Sequence, residues 1–115
     1  MWTLEYALTL IRKIAPIAER HGFSVALYGG VLLSGQSEND LDLFFVLQDP
    51  EICDVQGCLA GIAELPEIDH CGSMHEVTNG YCAVIWLRNG DHVDAQFRVC
   101  ETDRRQTGIE PPGNP

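Results

Sequence analysis

The sequence predicts an α/β (α+β) domain in which helices cover one face of a mixed, mainly antiparallel sheet. Three observations predict this class: an amphipathic helical pattern at the N-terminus, short apolar strand segments in the middle, and two Asn-Gly turns between strand patterns in the second half. A chain of 115 residues, 45% of them hydrophobic, suits a single core. We therefore expect one domain over residues 1–100 and a poorly ordered polar tail over residues 101–115.

The N-terminal helix is predicted from apolar residues that recur at helical spacing between Leu4 and Ala18. Thr3 is placed to cap this helix and Gly22 to end it. Pro16 lies inside the pattern. Because proline cannot donate a backbone hydrogen bond, it predicts a kink or a break near residue 15.

The rest of the chain predicts strands around one further helix. A short buried strand over residues 23–28 ends at Gly29-Gly30, and one helical turn is expected over residues 31–34. Asp49-Pro50-Glu51 is typical of a helix start and predicts a helix that continues to Leu65. The other predicted strands cover residues 40–47, 68–77, 81–88 and 92–99, with turns at Asn79-Gly80 and Asn89-Gly90.

Charge and cysteine content narrow the function classes. Seventeen acidic residues oppose seven basic ones, for a formal net charge of −10. A naked nucleic-acid partner is disfavoured, because such binding depends on Lys and Arg that neutralise phosphates. Charged residues within the first apolar stretch argue against a signal peptide or a membrane span there. The five cysteines are odd in number and scattered, which favours free thiols in the cytoplasm.

The candidate chemistry lies in three aspartates. Asp40 and Asp42 alternate with apolar residues on one predicted strand, so both carboxylates lie on the face opposite the helices, about 7 Å apart. A divalent cation such as Mg²⁺ is the usual reason for holding two carboxylates so close together. Asp94 lies in a similar alternating segment, and it completes the cluster if the two strands are neighbours.

Gly29-Gly30 adds a turn at which a backbone can approach a ligand closely and direct amides at phosphate oxygens. Two segments, Leu27-Tyr28-Gly29-Gly30-Val31-Leu32-Leu33-Ser34-Gly35 and Asn39-Asp40-Leu41-Asp42-Leu43-Phe44, together resemble the core signature of the polymerase-β-type nucleotidyltransferase superfamily. That signature is a strand, a Gly-Gly or Gly-Ser turn, a spacer and Asp-x-Asp. The resemblance covers residues 23–47 well and 92–99 loosely, and it includes the minimal, antitoxin-like members and the antibiotic-modifying ones.

The resemblance implies a Mg²⁺-dependent domain that binds a nucleoside triphosphate and transfers a nucleotidyl group to a hydroxyl acceptor. Asp40, Asp42 and Asp94 would hold one or two Mg²⁺ ions, and Asp94 would also help to activate the acceptor. The expected nucleotide-binding residues are Gly29, Gly30, Ser34 and Arg98. The chain departs from the family pattern in having no Arg or Lys over residues 31–39.

Several alternatives stay open. The aspartates could be solvent-facing strand residues, and Arg98 is expected to pair with Asp94 slightly in preference to meeting a phosphate. Trp86 is expected in the core rather than as a platform for a stacked base. The paired spacing that marks a zinc site is absent from His70, Cys71 and His75. The rival function is a non-catalytic interaction module of the same fold, an antitoxin-like subunit that binds a protein partner.

Overall fold

The computed structural model describes residues 1–38 and 40–99, so the predicted tail over residues 101–115 lies outside the described residues. The helices are α1 (Leu4–Arg20), α2 (Gly30–Ser34) and α3 (Val55–Ala63), with a 3-10 helix at Pro50–Ile52. The strands are β1 (Trp2–Thr3), β2 (Phe23–Tyr28), β3 (Gln36–Ser37), β4 (Asp40–Leu47), β5 (Ile68–Cys71), β6 (His75–Val77), β7 (Gly80–Leu87) and β8 (His92–Arg98). Within these ranges no helix is long and apolar enough to cross a membrane.

The main sheet has six strands. Its hydrogen-bonded order is β2-β4-β8-β7-β5, and β6 also pairs with β7. Strands β4 and β8 run parallel, whereas the other pairs in this sheet are antiparallel. Strands β1 and β3 form a separate antiparallel pair of two residues each, too short to be predicted from a sequence pattern. The α+β class and the mixed, mainly antiparallel sheet are therefore confirmed.

Helix α1 begins as predicted but passes through Pro16 without a break. The Thr3 hydroxyl accepts a hydrogen bond from the Tyr6 amide at 3.1 Å, which caps the helix. Of the predicted kink or break, the break is wrong, because one continuous helix runs from Leu4 to Arg20. Ile14 and Ile17, on either side of the proline, are both buried. We attribute the continuity to this burial, which outweighs the single backbone hydrogen bond that proline cannot make.

The predicted helix from Asp49 to Leu65 is divided into two. Asp49 caps only the 3-10 turn, through the amide of Glu51 at 3.1 Å. A second aspartate, Asp54, accepts a hydrogen bond from the Gly57 amide at 2.8 Å and begins α3. The carbonyl of Gly22 accepts the amides that precede the 3-10 turn, so the loop after α1 holds this segment outside the main helix.

The predicted strand over residues 68–77 is also divided. Cys71 pairs with Ile85, whereas His75 pairs with Cys82, so the segment between them contains one residue more than its partner strand. A further shift of register falls between Ile68 and His70. Such extra residues interrupt a ladder and bend the strand, and here they separate β5 from β6.

The core lies between the helices and one face of the sheet. Alternate residues of the two central strands are fully buried on this face: Leu41, Leu43, Phe45, Val93, Ala95 and Phe97. The rings of Phe45 and Phe97 stack at 4.4 Å between centroids, and the apolar faces of α1 and α3 belong to the same cluster. Because side chains alternate along a strand, burying this face puts the remaining residues of β4 and β8 on the opposite, open face.

Candidate functional site

The strand registers arrange the open face in rows across the sheet. The parallel pairing of β4 with β8 puts Asp42 opposite Asp94. The two strands are therefore neighbours, which was the condition for Asp94 to join the cluster. One row, in order from β2, is Tyr28, Asp42, Asp94 and Val84. The next row is Asp40, His92, Trp86 and His70. Neighbouring strands are roughly 4.8 Å apart, so the three predicted aspartates lie together on this face.

Asp40 and Asp94 are joined by a hydrogen bond between their carboxyl groups. This hydrogen bond, together with burial and the nearby negative charge, raises the pKa of Asp94 to about 6. The same hydrogen bond lowers the pKa of Asp40, since the ionised Asp40 accepts it. Below about pH 6 the pair therefore holds one proton, on Asp94. Burial, and then the charge of Asp40, raises the pKa of Asp42.

His92 is a member of the cluster that the sequence analysis missed. One ligand atom from each of Asp40, His92 and Asp94 lies within 4.8 Å of the others, and all three side chains are half-buried. The signal was present in the sequence, because His92-Val93-Asp94 has the same alternation as Asp40-Leu41-Asp42. Only the parallel register shows that these two segments face each other.

Gly29 is fitted closely against Asp42. Its φ is +79°, and a Cβ built there would lie 2.3 Å from Oδ2 of Asp42. Gly30 has no such constraint, because a Cβ added to it would have the Cβ of Ser37 as its nearest neighbour, at 3.7 Å. The first glycine of the turn therefore allows the strand end and the carboxylate to approach each other, whereas the second leaves space beside the backbone.

The two other predicted nucleotide ligands differ in position. The Ser34 hydroxyl lies 2.8 Å from the Gly30 carbonyl and 3.0 Å from the Gln36 carbonyl, so its hydrogen is used within the turn. Arg98 lies on the open face with its guanidinium carbon 4.4 Å from the centre of the Phe44 ring. The expected pair with Asp94 is wrong: the ion pairs of residues 1–38 and 40–99 do not include it.

Trp86 lies on the open face rather than in the core, which corrects the expectation from its apolar strand. It is 37% exposed, and its ring centre is 4.9 Å from that of His92 and 6.3 Å from that of His70. Beside it is a cavity of about 390 Å³. Its lining includes Asp94, Gln96, Val84, Cys82 and His75. The cavity thus extends from the carboxylate cluster across β7, on the side away from Gly29.

The donor set can be compared with what Mg²⁺ requires. Carboxylate oxygens from one or two aspartates fit this ion, and Asp40 and Asp94 can supply them, whereas Asp42 shares their face but lies outside the group of ligand atoms within 4.8 Å of one another. The imidazole of His92 is a nitrogen donor, which suits first-row transition metals better than Mg²⁺. The zinc alternative at His70 gains no support, since the Nδ1 of His70 lies 2.7 Å from the carboxylate of Asp69. In the described part of the chain, the group that could hold a metal is Asp40, His92 and Asp94.

No protein-family model matches this sequence, and no curated protein matches it significantly.

Proposed function

We propose that this protein is a metal-dependent, nucleotidyltransferase-like domain that binds a nucleoside triphosphate and transfers its nucleotidyl group to a hydroxyl acceptor. The observation that carries the proposal is the parallel pairing of β4 with β8, which gathers Asp40, Asp42 and Asp94 on one open face. The order of the strands adds support. Gly29 lies on the β2 side of the carboxylates and the cavity lies on the β7 side.

This order suggests a separate place for each substrate. The triphosphate would lie at the Gly29-Gly30 turn beside Asp42, with Arg98 as the basic group on the same face. The acceptor would enter the cavity next to Asp94. A carboxylate between the two substrates can take a proton from one reactant while the other is held in line, which is what transfer to a hydroxyl requires.

The reaction follows from these positions. The acceptor oxygen attacks the α-phosphorus, the bond from that phosphorus to the β-phosphate bridge oxygen breaks, and pyrophosphate leaves. The proton of the acceptor hydroxyl passes to the ionised carboxylate of Asp94, whose raised pKa of about 6 makes it a better proton acceptor than an ordinary aspartate. A divalent ion held by Asp40, Asp42 and Asp94 would supply charge stabilisation at the attacking and leaving oxygens.

A cytoplasmic location is part of the proposal and is supported by the cysteines. In the described ranges, Cys58, Cys71 and Cys82 are free thiols. Burial raises the pKa of Cys58 to about 12 and that of Cys71 to about 11, so neither forms the reactive thiolate readily.

Calorimetric titration with ATP in the presence of Mg²⁺ or Mn²⁺ tests the function. Native protein should bind the metal–ATP complex, and Asp42→Asn should weaken binding by about tenfold or more. Removing a negative charge would by itself favour an anionic ligand, so a loss of affinity points to a lost metal contact. Glu38→Gln, which removes a charge from an exposed loop residue, is the control and should bind like native protein.

The surface of α2 supports a second candidate function, a non-catalytic module that binds a protein partner. Leu32 is 56% exposed and Leu33 is 86% exposed, directly after the Gly29-Gly30 turn. Adjacent exposed leucines in an acidic chain are more typical of a surface that binds another protein than of a phosphate site. If native protein shows no metal-dependent binding of ATP at millimolar concentrations, the nucleotidyl-transfer proposal fails and the interaction module becomes the better account.

A further inference from the structure

We infer that His92 is a direct metal ligand together with Asp40 and Asp94, so that the site selects a first-row transition ion such as Mn²⁺ over Mg²⁺. This inference rests on the proposed metal site and names a further ligand and the preferred ion. It adds a nitrogen donor to the all-carboxylate set that the sequence predicted.

The distances permit a shared ion. His92 and Asp40 are register partners across the parallel pair, and Asp94 is the next residue of β8 on the same face. Their ligand atoms lie within 4.8 Å of one another. Three atoms equally spaced around one metal at about 2.1 Å are separated by at most about 3.6 Å. A contraction of up to about one ångström, within the reach of side-chain rotation, brings the three atoms to one ion.

His92 is held in place by one contact to its backbone and one to its ring. The indole nitrogen of Trp2, a fully buried residue, donates a hydrogen bond to the His92 carbonyl at 3.1 Å. On the open face the Trp86 ring lies beside the imidazole. Over residues 1–38 and 40–99, no hydrogen bond or ion pair of the structure uses the His92 ring nitrogens. A positioned imidazole next to two carboxylates is therefore available for coordination.

The donor chemistry determines which ion benefits. Mg²⁺ prefers oxygen ligands and keeps several of its waters, so a neutral imidazole adds little to its binding. Transition ions bind imidazole well, and they accept carboxylates in the same site. His92 should therefore strengthen the binding of Mn²⁺ much more than that of Mg²⁺.

The test uses metal alone, without nucleotide. Titration of native protein, with free Mn²⁺ followed by electron paramagnetic resonance and Mg²⁺ by calorimetry, should give Mn²⁺ an advantage of about tenfold or more. His92→Ala should weaken Mn²⁺ binding by about tenfold and leave Mg²⁺ binding nearly unchanged, which removes the preference. His70→Ala is the matched control. It deletes an imidazole from the other side of Trp86 and should keep the preference.

A spectroscopic measurement does not depend on the variant folding. Pulsed electron paramagnetic resonance of Mn²⁺ bound to native protein should show coupling to a directly bound imidazole nitrogen. Absence of that coupling, or an unchanged preference in a folded His92→Ala protein, overturns the inference while leaving a carboxylate metal site intact. If native protein binds neither ion, the inference and the proposed function both fail. If native protein binds metal, Asp94→Asn loses that binding and folded His92→Ala keeps full Mn²⁺ binding, the inference alone fails and the proposed function stands.

Discussion

The close carboxyl pair of Asp40 and Asp94 predicts that the metal-free protein is destabilised at neutral pH, where both groups are ionised, and that Asp94→Asn relieves this. The pKa of Asp94 rises from 3.8 to about 6 in the folded chain. Each pKa unit corresponds to about 1.4 kcal/mol, so full ionisation would cost roughly 3 kcal/mol. Because the carboxyl is only half-buried, water screens much of this, and we expect about 1 kcal/mol.

The raised pKa of Asp94 determines how the stability of the folded protein changes with pH. Below pH 3.8 Asp94 is protonated in both the folded and the unfolded chain, and the native protein has no penalty. As pH rises through about 6 the folded carboxyl must ionise beside Asp40, and this contribution to stability is lost. An asparagine at this position can still donate a hydrogen bond to Asp40 and carries no charge, so the variant does not lose stability in this range.

Thermal unfolding in a chelator, near pH 8 and again near pH 4, measures the effect. At the higher pH, Asp94→Asn should melt about 4–8 °C above native protein, the shift that 1 kcal/mol produces in a domain of this size. At the lower pH the difference should largely disappear. Glu38→Gln controls for the general benefit of removing one acid from a chain of net charge −10. A melting temperature of Asp94→Asn at or below the native value near pH 8 would refute the reasoning.

Three further substitutions test the fold around the site. Gly29→Ala should destabilise the protein by about 1–3 kcal/mol and remove the stabilisation by metal, because its methyl group would strike Asp42. Gly30→Ala should have neither effect, and equal denaturation midpoints for the two variants would contradict this prediction. Pro16→Ala should stabilise the protein by about 1–2 kcal/mol in urea unfolding, since it restores a donor inside an unbroken helix, and a loss of stability would count against that helix. In Trp86→Phe protein the remaining fluorescence comes from buried Trp2 and should resist quenching by acrylamide; strong residual quenching would show that Trp2 is exposed.

The local elements were largely predictable because they depend on local patterns. The caps and spacing of α1, the strand before Gly29-Gly30 and the strands around the Asn-Gly turns all follow from residues that are close in sequence. The errors in element boundaries arose where contacts between residues distant in sequence determine where an element begins or ends. Two aspartates, Asp49 and Asp54, could each begin a helix, and the contact of the preceding loop with Gly22 leaves α3 to start at the second one.

In the candidate site, too, the local features were predictable from the sequence and the contacts between strands were not. The sequence by itself determined that Asp40 and Asp42 share a face and that His92 and Asp94 share a face, because side chains alternate with a period of two along any strand. Only the tertiary structure decided that these two faces are neighbours, that His92 lies opposite Asp40, and that Trp86 stands beside them on the open face. The partner of a strand and its register depend on how the whole core packs, and no residue within the strand specifies them.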